Sequence, residues 1–188
     1  MSHSTAGPNF DIPQEILTEV MRLHAEVSRD AETLATRLGS LLVCRLGCDD
    51  CCQDDLAVFP IEAEVIGRHC EPLLTFDQPH PPGKCAFLDA DGACRIYPWR
   101  PYVCRTQGLP LRWLENGEVE ERGICSLNAE QLASQSTQLA ALPIDNCWTI
   151  GQFESRLAGL QVRALGTFQD TLPRVKLRDL FTSDSELP

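Results

Sequence analysis

Ten cysteines in 188 residues constrain this chain more than any other feature of its sequence. Eight of them crowd into one stretch: Cys44, Cys48, Cys51, Cys52, Cys70, Cys85, Cys94 and Cys104. The polar segment from Met1 to Phe10 contains no apolar signal core, so we expect a cytoplasmic protein in a reducing compartment. Clustered thiols in that setting more often bind metal or carry out redox chemistry than form disulfides. The sequence therefore predicts a metal site.

The charge balance excludes two classes of partner. Sixteen Lys and Arg residues stand against 27 Asp and Glu residues, which gives a net charge of −11 at pH 7. Such an acidic body repels phosphate backbones and anionic lipids, so we expect neither a nucleic-acid partner nor a membrane partner. No apolar run approaches the roughly 20 residues of a membrane-spanning helix. A protein partner or substrate is compatible with the sequence, which indicates neither its identity nor an oligomeric state.

The length suits one domain, and apolar periodicity predicts that helices dominate it. Apolar residues at helical spacing predict a long first helix that Asp11 caps and Gly39 ends. Further helices are predicted from about Pro60, from Asn128 to about Ala141 and from about Asp145 to Leu165, with a proline-rich loop over residues 71–84.

Turn residues predict two β-hairpins. The first pairs Cys85–Asp89 with Ala93–Tyr97, and the second pairs Leu109–Leu114 with Val119–Arg122 across an Asn-Gly turn. The overall prediction is an α-rich α+β fold: a single domain of about four helices with a small cysteine-bearing hairpin and an irregular metal-binding loop. We expect this domain to span residues 11–180, between a disordered N-terminus (1–10) and a flexible tail (181–188).

The first four cysteines form the motif Cys44-x3-Cys48-x2-Cys51-Cys52. Three thiolates at these spacings can turn inward from one tight loop, in which Gly47 supplies backbone freedom. A fourth ligand must come from elsewhere, and the candidates are Cys85, Cys94 and Cys104. The last two cysteines of the motif are adjacent, and neighbouring side chains rarely converge. Either one ligates while the other packs, or the two serve adjacent metals. A vicinal disulfide is a third, strained alternative.

Two familiar classes of metal site do not explain this motif. Radical S-adenosylmethionine enzymes use the same Cys-x3-Cys-x2-Cys spacing, but on an α/β barrel, and such barrels run to about 250 residues. This chain has neither that length nor a β-α-β-α pattern. A zinc ribbon needs two Cys-x2-Cys pairs, whereas Cys48 and Cys51 supply the single pair that qualifies here.

Taken together, several linked blocks make the chain resemble the YkgJ-like cysteine-cluster family, which is described as zinc- or iron-chelating. The blocks are Cys44-x3-Cys48-x2-Cys51-Cys52, Cys85-Ala-Phe-Leu, Gly92-Ala-Cys94-Arg-Ile-Tyr97 and Arg100-Pro101-x2-Cys104-Arg105. The resemblance implies metal binding. One branch of the family is the flagellin lysine methylase, so the resemblance also implies methylation of protein lysines as an alternative activity.

Seven cysteines are the candidate metal ligands: Cys44, Cys48, Cys51, Cys52, Cys85, Cys94 and Cys104. Arg105 and Arg95 each follow one of them, and a guanidinium can neutralise a thiolate-rich site while it donates hydrogen bonds to sulfur. We expect Arg100 instead to bind Glu62. The remaining cysteines are interpreted as buried thiols, and Cys125 is the strongest spare ligand among Cys70, Cys125 and Cys147.

The leading hypothesis is a protein that holds an iron–sulfur cluster or zinc through these thiolates. Three thiolates from one short loop, with a fourth from a distant segment, favour the iron–sulfur cluster. The alternatives are a metal-dependent protein lysine methyltransferase and a metal-free thiol redox sensor. No Ser-His-Asp order, phosphate loop or Gly-x-Gly-x-x-Gly motif supports a hydrolase, a kinase or a dinucleotide-binding protein.

Overall fold

Helices make up most of the regular structure in the computed structural model, which describes residues 10–165 and 172–181. The α-helices in these ranges are α1 (Gln14–Leu38), α2 (Pro60–Phe76), α3 (Tyr102–Thr106), α4 (Ser126–Ser134) and α5 (Gln152–Leu165). The strands are β1 (Ala57–Val58), β2 (Leu111–Glu115), β3 (Val119–Gly123), β4 (Trp148–Thr149) and β5 (Val175–Lys176). This is an α-rich α+β fold in a single domain, as predicted.

Two sequence predictions concern the ends of the chain. The disordered N-terminus and the flexible tail lie outside the described residues, apart from Phe10 and Phe181 at their borders. Within residues 10–165 and 172–181, no helix is long and apolar enough to cross a membrane.

The long amphipathic helix α1 is confirmed. It buries Val20 and Val27 along one face and packs against α2, α3 and α5. Gly39 ends it with a positive φ of 52°. The prediction that Asp11 caps the helix is wrong, because Pro13 occupies the N-cap position with a backbone ψ of 138°. Asp11 therefore lies two residues before the cap.

Helix α2 begins where predicted and continues further than predicted. Glu62 Oε2 accepts a hydrogen bond from the Phe59 amide at 3.4 Å and so caps the first turn. The helix runs on through Pro72, so the loop prediction for residues 71–76 is wrong. Cys70 leaves the helical region, with φ −123° and ψ 19°. This kink relieves the clash between a proline ring and the preceding turn, which is why the proline is tolerated.

The predicted hairpin of β2 and β3 is confirmed. Its strands pair antiparallel, with Leu111 opposite Gly123. Asn116 and Gly117 have positive φ values of 52° and 78°, as a type I′ turn requires.

Helix α4 ends earlier than the predicted Ala141. Ser136 takes a positive φ of 55°, and the Thr137 amide donates to the Leu132 carbonyl at 2.9 Å. This closure is a Schellman motif, which ends a helix by satisfying its last carbonyls.

Helix α5 begins later than predicted, because residues 145–151 do not extend it. Trp148 lies opposite Leu111 in a parallel pairing of β4 with β2. The Trp148 amide donates to the Pro110 carbonyl at 2.7 Å. These long-range hydrogen bonds fix the segment as a strand, and the helix starts only at Gln152.

The cysteine-bearing hairpin is present but shorter than predicted. A single bridge joins Leu88 and Cys94. The Asp89 carboxylate closes the turn by accepting two backbone amide hydrogen bonds, each shorter than 3 Å. Residues Tyr97–Trp99 form a 3-10 turn in place of the end of the second strand. The tight turn nevertheless keeps Cys85 and Cys94 on one small unit.

Two apolar clusters fill most of the interior. The larger joins α1, α2 and α5 around residues such as Val20, Ile61 and Leu157. The smaller contains Phe87 and Leu177 together with several cysteines: Cys70 and Cys85 within it, and Cys52 and Cys94 packed against it. The candidate ligands Cys52, Cys85 and Cys94 therefore contact the smaller cluster rather than the main core.

Candidate metal centre

The cysteine loop (residues 44–52) carries the first four predicted ligands on two consecutive turns. The Cys48 amide donates to the Arg45 carbonyl at 3.0 Å, and the Cys52 amide donates to the Asp49 carbonyl at 2.9 Å. Gly47 lies in the first turn with a positive φ of 81°. This is the backbone freedom that the sequence predicts for that glycine.

Glycines bring the cysteine loop against the hairpin that carries Cys94. A Cβ on Gly92 would lie 3.2 Å from the Gly47 carbonyl oxygen, and a Cβ on Gly47 would lie 3.3 Å from the Asp91 carbonyl oxygen. Both glycines have positive φ. A side chain at either position would separate the two backbones. The close approach places the loop cysteines beside the hairpin cysteines.

One set of thiols, the inner group, consists of Cys52, Cys85, Cys94 and Cys104. The Cys85 amide donates to the Cys52 carbonyl at 3.0 Å. Burial raises the pKa of Cys104, and the neighbouring thiols of Cys85 and Cys94 raise it further. Burial also raises the pKa of Cys94, to which Cys85 adds. The thiols of Cys85 and Cys104 also act on Cys52, so each of the four thiols lies within electrostatic reach of at least two others.

A second set of thiols lies around Cys44. This residue is exposed as a whole, but its sulfur lies against Gly108 and accepts a hydrogen bond from Asn128 Nδ2 at 3.2 Å. Partial burial of the sulfur raises the pKa of Cys44, and the nearby thiols that raise it further are Cys48, Cys51 and Cys125.

The adjacent Cys51 and Cys52 join the two sets. The Cys52 thiol donates a hydrogen bond to the Cys51 sulfur, which lowers the pKa of Cys51 to about 7 and raises the pKa of Cys52. All ten cysteines are free, so this vicinal pair is not a disulfide. Its two thiols therefore differ in their readiness to ionise.

The described residues contain no group of three or more His, Cys, Asp or Glu side chains arranged to hold a metal ion. The thiols are neighbours without forming a closed coordination shell. Thiolates of like charge repel one another, and a cation is needed to offset that repulsion at metal-ligand distances. The ligand set of seven cysteines therefore stays a prediction.

The two predicted supporting arginines have hydrogen-bond partners other than sulfur. Arg105 donates to Ser28 Oγ at 2.8 Å and to the Pro98 carbonyl at 3.0 Å. Arg95 donates to two backbone carbonyls and forms an ion pair with Asp77 at 3.5 Å. Their role beside a bound metal stays a prediction.

The predicted pair of Arg100 and Glu62 is wrong. Glu62 is buried and already accepts hydrogen bonds from His24 Nε2 at 3.0 Å and from the Tyr102 amide at 2.8 Å. The Arg100 guanidinium lies over the Tyr97 ring, 3.8 Å from its centroid. Its positive charge lowers the pKa values of Cys94 and Cys104, although burial outweighs that effect.

Sequence reasoning missed two residues of the site, Asn128 and Gly108. Asn128 is fully buried; it accepts a hydrogen bond from the Val43 amide at 2.8 Å and donates to the Gly108 carbonyl at 2.6 Å. Nothing near it in sequence marks it as different from any polar residue in a predicted helix. Cys70 and Cys147 are buried in apolar surroundings, as predicted.

The structure thus defines a class of protein: an α-rich scaffold that collects free thiols from several segments at one side. Residues 43–130 match the model of the CxxCxxCC family, described as "Putative zinc- or iron-chelating domain". Residues 43–130 are thus similar to this cysteine-cluster domain, which confirms the resemblance inferred from the motifs. No curated protein and no solved structure matches the chain significantly.

The donor chemistry fits the metals that this family description names. Thiolates are soft ligands that bind zinc, iron in iron–sulfur clusters and copper(I). Eight free cysteines lie in the two sets of thiols or between them. Zinc- or iron-type metal binding is therefore the general function of this domain.

Proposed function

We propose that the chain binds an iron–sulfur cluster through cysteine thiolates drawn from the cysteine loop, the hairpin and α3. The observation that carries the proposal is the meeting of free thiols from these three segments. The Cys85 amide is bonded to the Cys52 carbonyl, and the Cys104 thiol lies within electrostatic reach of Cys85 and Cys94. Segments far apart in sequence thus supply soft donors to one region.

The charges around the inner group favour an anionic centre. Arg100 and Arg105 lie close enough to affect each other electrostatically. Neither forms an ion pair with a carboxylate in the part of the chain that the structure describes. Four thiolates around a divalent zinc, or around an oxidised cluster of charge +2, leave a net negative charge. Such a centre would compensate the two cations.

Iron is preferred to zinc because of the spacing of the donors. Structural zinc sites commonly present paired Cys-x2-Cys knuckles. Iron–sulfur proteins commonly bind their cluster through three cysteines of one short loop and a fourth ligand from a distant segment. Zinc bound by the same thiolates is the alternative, and metal analysis separates the two.

The experiment is metal and sulfide analysis of anaerobically purified protein, with an absorption spectrum. We expect iron together with acid-labile sulfide, and thiolate-to-iron absorption bands. The matched control is Cys147→Ala, which removes a buried thiol outside both sets and should keep the iron. Colourless protein with stoichiometric zinc, and no iron after anaerobic reconstitution, would overturn the choice of metal. Protein that takes up neither metal would overturn metal binding.

A metal-free thiol redox sensor is a second candidate, and the vicinal pair favours it. The hydrogen bond between Cys51 and Cys52 lowers the pKa of Cys51 to about 7, which increases the fraction of reactive thiolate. A mild oxidant such as a peroxide would take two electrons and two protons from this pair to form a disulfide. Reversible loss of two thiols in metal-free protein, measured by mass spectrometry, tests this candidate. The lysine methyltransferase alternative rests on the family resemblance alone.

A further inference from the structure

We propose that the cysteines form two separate metal centres, and that Cys125 completes the outer one with Cys44, Cys48 and Cys51. The inner centre then uses the inner group, Cys52, Cys85, Cys94 and Cys104. This inference rests on the proposed metal-binding function and adds the number of centres and a ligand outside the seven predicted ones.

Two side-chain hydrogen bonds connect the start of α4 to the cysteine loop. Cys125 occupies the N-cap position of this helix, immediately before Ser126. The Ser126 hydroxyl donates to Asp50 Oδ2 at 3.1 Å, next to Cys51 in the chain. The Asn128 side chain donates to the Cys44 sulfur at 3.2 Å. Cys125 therefore lies just before the two residues of α4, Ser126 and Asn128, whose side chains bind the cysteine loop.

The hydrogen bond between Asn128 and Cys44 is held in place by further contacts of both residues. Asn128 is fully buried and uses both ends of its amide: Oδ1 accepts from the Val43 amide, and Nδ2 donates to Cys44 and to the Gly108 carbonyl. A Cβ on Gly108 would lie only 2.6 Å from the Cys44 sulfur. Gly108 and Asn128, both far from Cys44 in sequence, thus pack closely around its sulfur and fix it on the side of α4.

The vicinal pair marks the division between the two centres. The Cys51 and Cys52 thiols contact each other, so the two centres are neighbours and each takes one sulfur of the pair. Cys52 is tied on the inner side, since its carbonyl accepts the Cys85 amide. Asp50, on the other side of Cys51, is bonded to Ser126 of α4. The chain therefore passes from the outer centre to the inner one between Cys51 and Cys52.

The two centres differ in exposure. Cys44 is exposed and none of the outer four cysteines is buried, whereas Cys85 of the inner group is buried against the smaller apolar cluster. Positive charge reaches both centres: Arg100 and Arg95 act electrostatically on Cys94 of the inner group, and Arg100 also acts on Cys51 of the outer one. The exposure of Cys44 leaves the outer centre open to solvent, whereas Cys85 anchors the inner centre in the smaller apolar cluster.

The test is a titration of metal-free protein with Co²⁺ under anaerobic conditions, because Co²⁺ bound by thiolates has intense charge-transfer bands. We expect the wild type to bind about two equivalents, one for each set of four thiolates. Cys125→Ser and Cys94→Ser should each fall to about one tight equivalent, and the double variant should keep no tight site. Cys147→Ala, which lies in neither set, should retain the wild-type stoichiometry.

The wild-type end point keeps the proposal falsifiable even where a variant folds poorly. A single equivalent in the wild type, with Cys125 still freely alkylated in the loaded protein, would overturn two centres and leave one-centre metal binding intact. Complete loss of Co²⁺ binding in either single variant, with the circular dichroism unchanged, would also indicate one shared centre. Failure of the wild type to bind any Co²⁺ would instead overturn the proposed metal-binding function itself.

Discussion

At the scale of single residues, Gly108 and Cys44 illustrate how a backbone position shapes a thiol. Gly108 has a positive φ of 88°, and a Cβ there would meet the Cys44 sulfur at 2.6 Å. Gly117, in the hairpin turn, has a similar φ of 78° with nothing within 4 Å of its Cβ position. Both glycines have a positive φ, but Gly108 is buried against the Cys44 sulfur whereas Gly117 is exposed. They therefore form a matched pair for mutation.

We predict that Gly108→Ala costs more stability than Gly117→Ala. Each substitution places a side chain in the left-handed region, which costs about 1–2 kcal/mol. Gly108→Ala should cost a further 1–3 kcal/mol or so, because the Cys44 sulfur or its backbone must move. Urea unfolding of both variants measures the difference, and Co²⁺ titration should show weaker binding for Gly108→Ala alone. Equal losses would mean that Cys44 is free to swing away.

Cys51 gives a prediction about pH. Because the Cys52 thiol donates to it, the pKa of Cys51 is lowered to about 7, while burial raises the pKa of Cys70 to about 11. In metal-free protein, alkylation of Cys51 by iodoacetamide should rise through a midpoint near pH 7, with Cys70 still protected there. Peptide mapping by mass spectrometry reports both rates. Cys52→Ala removes the donor and should move the Cys51 midpoint upward; an unmoved midpoint would exclude the hydrogen bond as the cause.

At the scale of elements, one buried carboxylate holds three helices together. Glu62 in the first turn of α2 accepts hydrogen bonds from His24 of α1, from the Phe59 amide and from the Tyr102 amide at the start of α3. Glu62 and His24 are each 3% exposed. Since α3 carries Cys104, this network also sets where one of the inner thiols lies.

We predict that Glu62→Ala lowers the free energy of unfolding by about 3–5 kcal/mol, because it leaves His24 and two buried amides without their acceptor. Glu71→Ala is the matched control on the same helix: Glu71 is exposed, and its loss should change stability by about 0.5 kcal/mol or less. Thermal and urea unfolding measure both. A small effect at Glu62 would show that water replaces the carboxylate without cost.

At the scale of the whole molecule, the two apolar clusters divide the stability of the fold. The larger cluster is built from α1, α2 and α5, whereas the smaller includes Cys70 and Cys85 and borders Cys52 and Cys94. Metal ligation would add free energy to the part of the fold that contains its ligands. Removal of the metal should therefore act chiefly on the smaller cluster.

We predict that chelation, or Cys48→Ser, lowers the melting temperature and speeds amide exchange unevenly. The Arg95 amide, bonded to the Phe87 carbonyl at 2.9 Å in the hairpin, should exchange faster after metal removal. Amides in the centre of α1 should change less, because their cluster keeps its packing. Hydrogen exchange and thermal unfolding check this, with Cys147→Ala as the control. An unchanged melt after complete metal removal would show that the site is an accessory to an independent core.

Several parts of this protein could be predicted because their causes are local in sequence. The apolar spacing of α1 and the Asn116-Gly117 turn of the β2–β3 hairpin depend on residues within a few positions of one another. The cysteine motif is also local: two turns and Gly47 place its thiols on one loop. The sequence by itself thus determined the α-rich fold class, this hairpin and the family of the cysteine cluster.

Only the tertiary structure decided the relations between distant segments. Cys125 approaches Cys44 because Asn128 on α4 reaches back 84 positions to its sulfur. Residues 148–149 form a strand because they pair with the edge of β2. Glu62 binds His24 and Tyr102 rather than Arg100, because those two partners share its buried position. Such pairings depend on which surfaces meet when the helices pack. A local pattern of residue types does not predict these contacts, because the contacting residues are far apart in sequence.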